Sequence, residues 1–122
     1  MTCEEQCVWA REGLHRSGLA ELVGRLHEPA AGLSLVWQRM LAVLRVLNGD
    51  PRVLFVGEPT TGLDEDDALR LLALLKEEAQ RRAVLIALHN QRHVRFVADR
   101  AVLLAGGVVQ EARATQAFFP RR

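Results

Sequence analysis

Val53-Leu54-Phe55-Val56-Gly57-Glu58-Pro59-Thr60-Thr61-Gly62-Leu63-Asp64 is the stretch that decides how this 122-residue chain folds. Its first four residues form a short continuous apolar run bounded by turn residues, the pattern of a strand buried on both faces. Gly57 to Leu63 reads as a loop, and Asp64 as the cap of a helix whose Leu69, Leu72, Leu75 and Ala79 line one face. An apolar strand that runs into a carboxylate places Glu58 at the carboxyl edge of a parallel sheet. That is where α/β folds bind ligands, and Glu58 there is able to act as a base toward water. On the residues alone, a solvated loop glutamate is the simpler reading.

Downstream, Ala83 to Leu88 forms a second buried strand that ends at His89. A short helix around Val94 and Val97 follows, then a third strand at Ala101 to Ala105, a hairpin turn at Gly106-Gly107, and the return strand Val108 to Gln110. Strand, helix, strand, helix, strand implies right-handed parallel crossovers. Upstream, residues 1–48 read as three helices. Leu14, Leu19, Leu22, Val23 and Leu26 recur at helical steps, Pro29 to Gly32 breaks the pattern, and a longer helix runs from Ser34 through Met40, Leu41, Leu44 and Leu47 to the stop at Asn48-Gly49-Asp50-Pro51. The expected organisation is one domain over 1–122, with a helical part at 1–48 and an α/β core at 52–119.

Composition sets limits around this reading. With 49% hydrophobic and 25% charged residues, the chain excludes disorder, collagen and a disulfide scaffold. The net charge of +1 leaves no global basic field to hold nucleic acid. Lys76 is the only Lys among sixteen basic residues, a bias that fits a GC-rich genome. No run reaches the roughly 18 apolar residues of a membrane span, so no direct membrane insertion is expected. The acidic start Met-Thr-Cys-Glu-Glu does not read as a secretion signal, which gives a cytoplasmic expectation. Cys3 and Cys7 share a helix face, but without a second Cys pair or a His pair at metal spacing they read as a thiol face rather than a metal site.

Four blocks, taken in order, resemble the ATP-binding cassette ATPases, specifically the C-terminal half of their nucleotide-binding domain. Glu58 to Asp64, preceded by Val56, is similar to the Walker B strand running into Asp-Glu-Pro-Thr and then Gly-Leu-Asp. Leu33-Ser34-Leu35-Val36-Trp37-Gln38-Arg39 occupies the place of the signature Leu-Ser-Gly-Gly-Gln, and Arg45 falls where that family's next helix carries an Arg. Leu85-Ile86-Ala87-Leu88-His89-Asn90 resembles the switch-histidine strand. Ala98-Asp99-Arg100 through Leu104 to Glu111 resembles the strand and hairpin that close the domain. The resemblance covers roughly residues 30–119 and implies a truncated P-loop NTPase-like parallel sheet with an N-terminal helical segment. It carries Glu58 over as the catalytic base, His89 as the switch histidine, and Ser34 and Asp64 as nucleotide-facing positions. His89-Asn90 and the tail resemble the ATPases of inorganic-anion importers, such as those for phosphate, more than those of exporters.

The departures carry as much information. A loop Gly-x-x-x-x-Gly-Lys-[Ser/Thr], which cradles phosphate with backbone N–H groups and a Lys, is absent from the sequence. Gly57 stands where the family has the Asp that orients magnesium, and a glycine has no side chain to bind the ion. Leu35, Val36 and Trp37 put bulky apolar side chains where the signature glycines let a phosphate approach a helix N-terminus. Ser34 then reads as a helix cap, and Glu58 with His89 as a remnant. No cofactor is expected, and ATP with magnesium only if a partner chain completes the site.

In the family, the phosphate-loop strand lies between the strands corresponding to Ala83–Leu88 and Ala101–Ala105. Without it two strand edges stay open, so the chain must pair those two strands directly or take a strand from another chain or a second copy. Leu35, Val36 and Trp37 are candidates for a dry protein contact, with core packing as the alternative for Trp37; Trp9 carries the same ambiguity. Phe118 and Phe119 are candidate anchors in the tail, against the simpler reading that Phe118 tucks back on the hairpin. Three functions follow: a non-hydrolysing accessory or regulatory subunit, half of a split transporter ATPase completed by a chain bearing the phosphate loop, and a homo-oligomeric scaffold.

Overall fold

The structure, a computed structural model, describes residues 2–16 and 20–115. The side chains of Cys3, Cys7 and Trp9, and the tail with Phe118 and Phe119, lie outside the described residues. The chain divides into two compact units, Met1–Leu54 and Phe55–Arg122.

The first unit is helical. Helix α1 spans Cys3–Arg16 and opens on a capping box, in which the Thr2 N–H donates to Glu5 Oε2 at 2.6 Å and the Glu5 N–H donates to Thr2 Oγ1 at 3.1 Å. These hydrogen bonds, the backbone one foremost, hold the Glu5 carboxyl below its ordinary value. Two short 3-10 helices, Ala20–Arg25 and Ala30–Gly32, stand where a second α-helix was expected. The i→i+3 bonding suits a stretch punctuated by Gly24 and Pro29. Helix α2, Leu35–Leu47, follows with Ser34 and Asn48 as its caps. It stops because Asp50 turns left-handed at φ 49°, a conformation that Asp tolerates better than most residues, just ahead of Pro51. Leu14, Leu22, Val36, Met40 and Val43 are buried in this unit.

Strand β1 is Val53–Gly57, helix α3 Glu65–Glu78, strand β2 Ala83–Ala87 and helix α4 Gln91–Val97. Strands β3, Arg100–Ala105, and β4, Val108–Ala114, complete the order. Asp64 caps α3 as expected, its Oδ1 accepting from the Asp67 N–H at 2.8 Å. The buried stripe of α3 is Ala68, Leu71, Leu72 and Leu75, not Leu69, Leu72, Leu75 and Ala79. Positions i, i+3, i+4 and i+7 share one helical face, whereas Ala79 is already the C-cap and is exposed. Lys76 Nζ lies 5.1 Å from the centre of the Phe96 ring, a cation–π contact between α3 and α4.

The sheet departs from expectation in two respects. β1 and β2 form a parallel two-stranded sheet, and β3 with β4 forms a separate antiparallel one. The direct pairing of 83–88 with 101–105 is therefore not made. Nor are β1 and β2 buried on both faces. Their burial alternates, with Val53 63%, Phe55 69% and Leu85 52% exposed, because no described element covers that face. The β3–β4 hairpin turns at Gly106 and Gly107, φ 60° and 75°, the positive pair that a tight hairpin needs. A register shift falls between Leu103 and Leu104.

Candidate functional site

The carboxyl ends of β1 and β2 bring the two principal sequence candidates together. β1 runs into Glu58, whose N–H donates to Ala87 O at 3.0 Å and so extends the strand pairing by one step. Two residues beyond Ala87, His89 meets it, and His89 Nε2 is in direct contact with Glu58 Oε1. Thr61 Oγ1 donates to the other carboxylate oxygen at 3.5 Å. Glu58 holds φ 43°, a left-handed conformation that costs a non-glycine residue on the order of 1–3 kcal/mol and persists only where its surroundings enforce it. The carboxylate is half exposed, and the imidazole 85% exposed.

An acid beside an imidazole at a sheet edge is able to hold and pass a proton to or from water. The residue before Glu58 is Gly57, and a Cβ built there meets nothing within 4 Å, so a carboxylate is missing from a position that has room for one. No group of three or more His, Cys, Asp or Glu able to hold a metal occurs among the described residues. The lone Lys stacks on Phe96. Gly57 therefore offers a magnesium ion no side chain.

The signature positions are rearranged too. Ser34 occupies the N-cap of α2 as expected, though its hydroxyl makes no cap hydrogen bond. Gln38 braces that turn instead: its Nε2 donates to Leu33 O at 3.0 Å and to Ala31 O at 3.3 Å. Leu35, Val36 and Trp37 do not form one contact surface. Leu35 is 43% exposed, Val36 is buried at 2% and Trp37 lies between them. Successive helical residues point about 100° apart, so one of three consecutive side chains turns into the core. Arg45 lies with Asn48 on an apolar cavity of about 170 Å³, otherwise lined by Ala10, Leu14, Leu26, Leu41 and Leu44.

Asp64 serves α3 as its cap, and Asn90 serves α4 in the same way, its side chain accepting from the Arg92 N–H at 2.9 Å. Sequence reading missed His93. Its ring is buried, and Nε2 lies 3.1 Å from Oε2 of Glu65, the first residue of α3. The only signal was a second His four residues after His89, directly behind the Asn90 cap.

No family model matches the chain. Individual proteins do. Over 101 residues it is 32% identical to the phosphate import ATP-binding protein PstB of Oceanobacillus iheyensis, an alignment covering 83% of this chain and 37% of that protein. Among solved structures, CbiO1 of Clostridium perfringens, part of the ABC transporter complex CbiONQ, superposes with a TM-score of 0.82 at 26% identity. That match covers 98% of this chain and 47% of CbiO1. The ATP-binding cassette MJ0796, solved as a dimer in a post-hydrolysis state with ADP and Pi, superposes with a TM-score of 0.72 at 27% identity. It covers 94% of this chain and 49% of that one. The chain thus spans less than half the length of these relatives. No helix among the described residues is long and apolar enough to cross a membrane. From the Glu58-to-Asp64 loop, the histidine beside it and these superpositions, the chain belongs to the ATP-binding cassette ATPase family and corresponds to part of its nucleotide-binding domain.

Proposed function

We propose that this chain is a non-hydrolysing cassette protein that acts as a binding, regulatory or accessory subunit of a larger protein assembly. The observation that carries the reading is Gly57, a position with room for a magnesium-orienting carboxylate and none present. The buried Val36 and the engagement of the lone Lys on Phe96 support it, since neither leaves a group to receive a phosphate. β2 and β3 each keep an edge that pairs with no strand among the described residues, and such edges recruit another strand. The partner in this reading is a protein segment, from another chain or a second copy, that lies along those edges. The phosphate-import relative makes an inorganic-anion importer a natural host. Isothermal titration with ATP and magnesium tests the proposal: no heat of binding is expected, and micromolar affinity would overturn it.

The Glu58–His89 contact favours a second reading, in which a separate chain bearing a phosphate loop completes a split ATPase. Mixing with such a half then yields ATP hydrolysis that Glu58→Gln abolishes. Absence of turnover from a stably formed complex removes this reading.

A further inference from the structure

Two loops carry the candidate site. Residues 58–64 join β1 to α3, and residues 88–90 join β2 to α4. They are bridged at both ends. At the strand end the Glu58 N–H donates to Ala87 O, and the Glu58 carboxylate meets His89. At the helix end Glu65, the first residue of α3, meets His93, the third residue of α4. We propose that His93 is a positioning residue: by clamping Glu65, it fixes the far ends of both loops and thereby holds Glu58 against His89.

The chemistry of the ring supports a built contact. A carboxylate only accepts, so His93 Nε2 carries the proton and donates to Glu65 Oε2 at 3.1 Å. Nδ1 is buried without a hydrogen-bond partner. A buried polar atom left unpaired is unfavourable, and an apolar side chain of similar size avoids it. The site at 5% exposure tolerates the penalty for the sake of the other nitrogen, which reaches the partly exposed Glu65. Lys76 over the Phe96 ring is a second, separate contact between α3 and α4. The clamp joins the first turns of α3 and α4, where the two loops end.

Amide hydrogen exchange on the whole chain reads this out. The Glu58 amide, bonded to Ala87 O, reports the loops; the Leu72 amide reports α3. Glu65→Ala removes the acceptor from the surface side and should speed Glu58 exchange about tenfold relative to Leu72, the worth of one lost hydrogen bond. Asp66→Ala removes a neighbouring first-turn charge and should leave that ratio within about twofold. His93→Gln, which keeps a donor near the Nε2 position, should preserve the ratio, whereas His93→Leu should raise it as Glu65→Ala does. A long-range proton–nitrogen spectrum should find His93 protonated at Nε2. The proposal is overturned if Glu65→Ala leaves the ratio unchanged, if Asp66→Ala raises it equally, or if the His93 proton sits on Nδ1.

Discussion

Helix α3 and the β3–β4 ribbon belong to the same unit and carry the same kind of side chain, but only one has finished burying it. Leu71, Leu72 and Leu75 are completely enclosed, while Leu103, Leu104 and Val108 are 52%, 64% and 60% exposed. A helix has a single apolar stripe, which one neighbour satisfies. A strand has two faces and two edges, and a two-stranded ribbon alone is marginal in water. In this unit α3 has buried its apolar stripe and the ribbon has not.

The widest gap between the two regions should appear in stability. Leu72→Ala should cost about 2–5 kcal/mol in urea unfolding, since it opens a cavity at a fully buried site. Leu104→Ala in the ribbon should stay within about 0.5 kcal/mol for the chain alone. Equal losses would mean that the ribbon is covered in solution. A smaller effect is expected at the site loop, where Asp64→Ala removes the α3 cap and should lower unfolding free energy by about 1 kcal/mol.

Much of this was legible because it rests on local signals. The strand from Val53, the cap at Asp64 and the Gly106-Gly107 hairpin all follow from short-range pattern. What was not legible depended on neighbours. Continuous apolar runs in β1 and β2 read as doubly buried strands, but one face stands open, because sequence records what a face is suited to rather than what covers it. The rotation of the α3 stripe and the burial of Val36 were settled by packing. His93 escaped notice because a single His gives no sign of burial until α3 is laid beside α4.

Gly57→Asp should change thermal unfolding by less than the loss of the cap, within about 0.5 kcal/mol, because the added side chain enters open space at a backbone conformation with no positive φ. A large destabilisation would show that the position is closed to a carboxylate by packing. The mildest effect should come from pH. The folded-state value of Glu5 is lowered from 4.5, so its contribution is present above that value and fades as pH falls through the depressed one. Circular dichroism on acidification should detect fraying of the first turn of α1 in the native chain and none of that step in Glu5→Gln.

Native mass spectrometry of the chain purified from its own source decides whether the open strands serve a partner. The expected species contains this chain with a second polypeptide or a further copy of itself, and carries no nucleotide. A single free copy, or any species that retains ATP or ADP, would contradict the account.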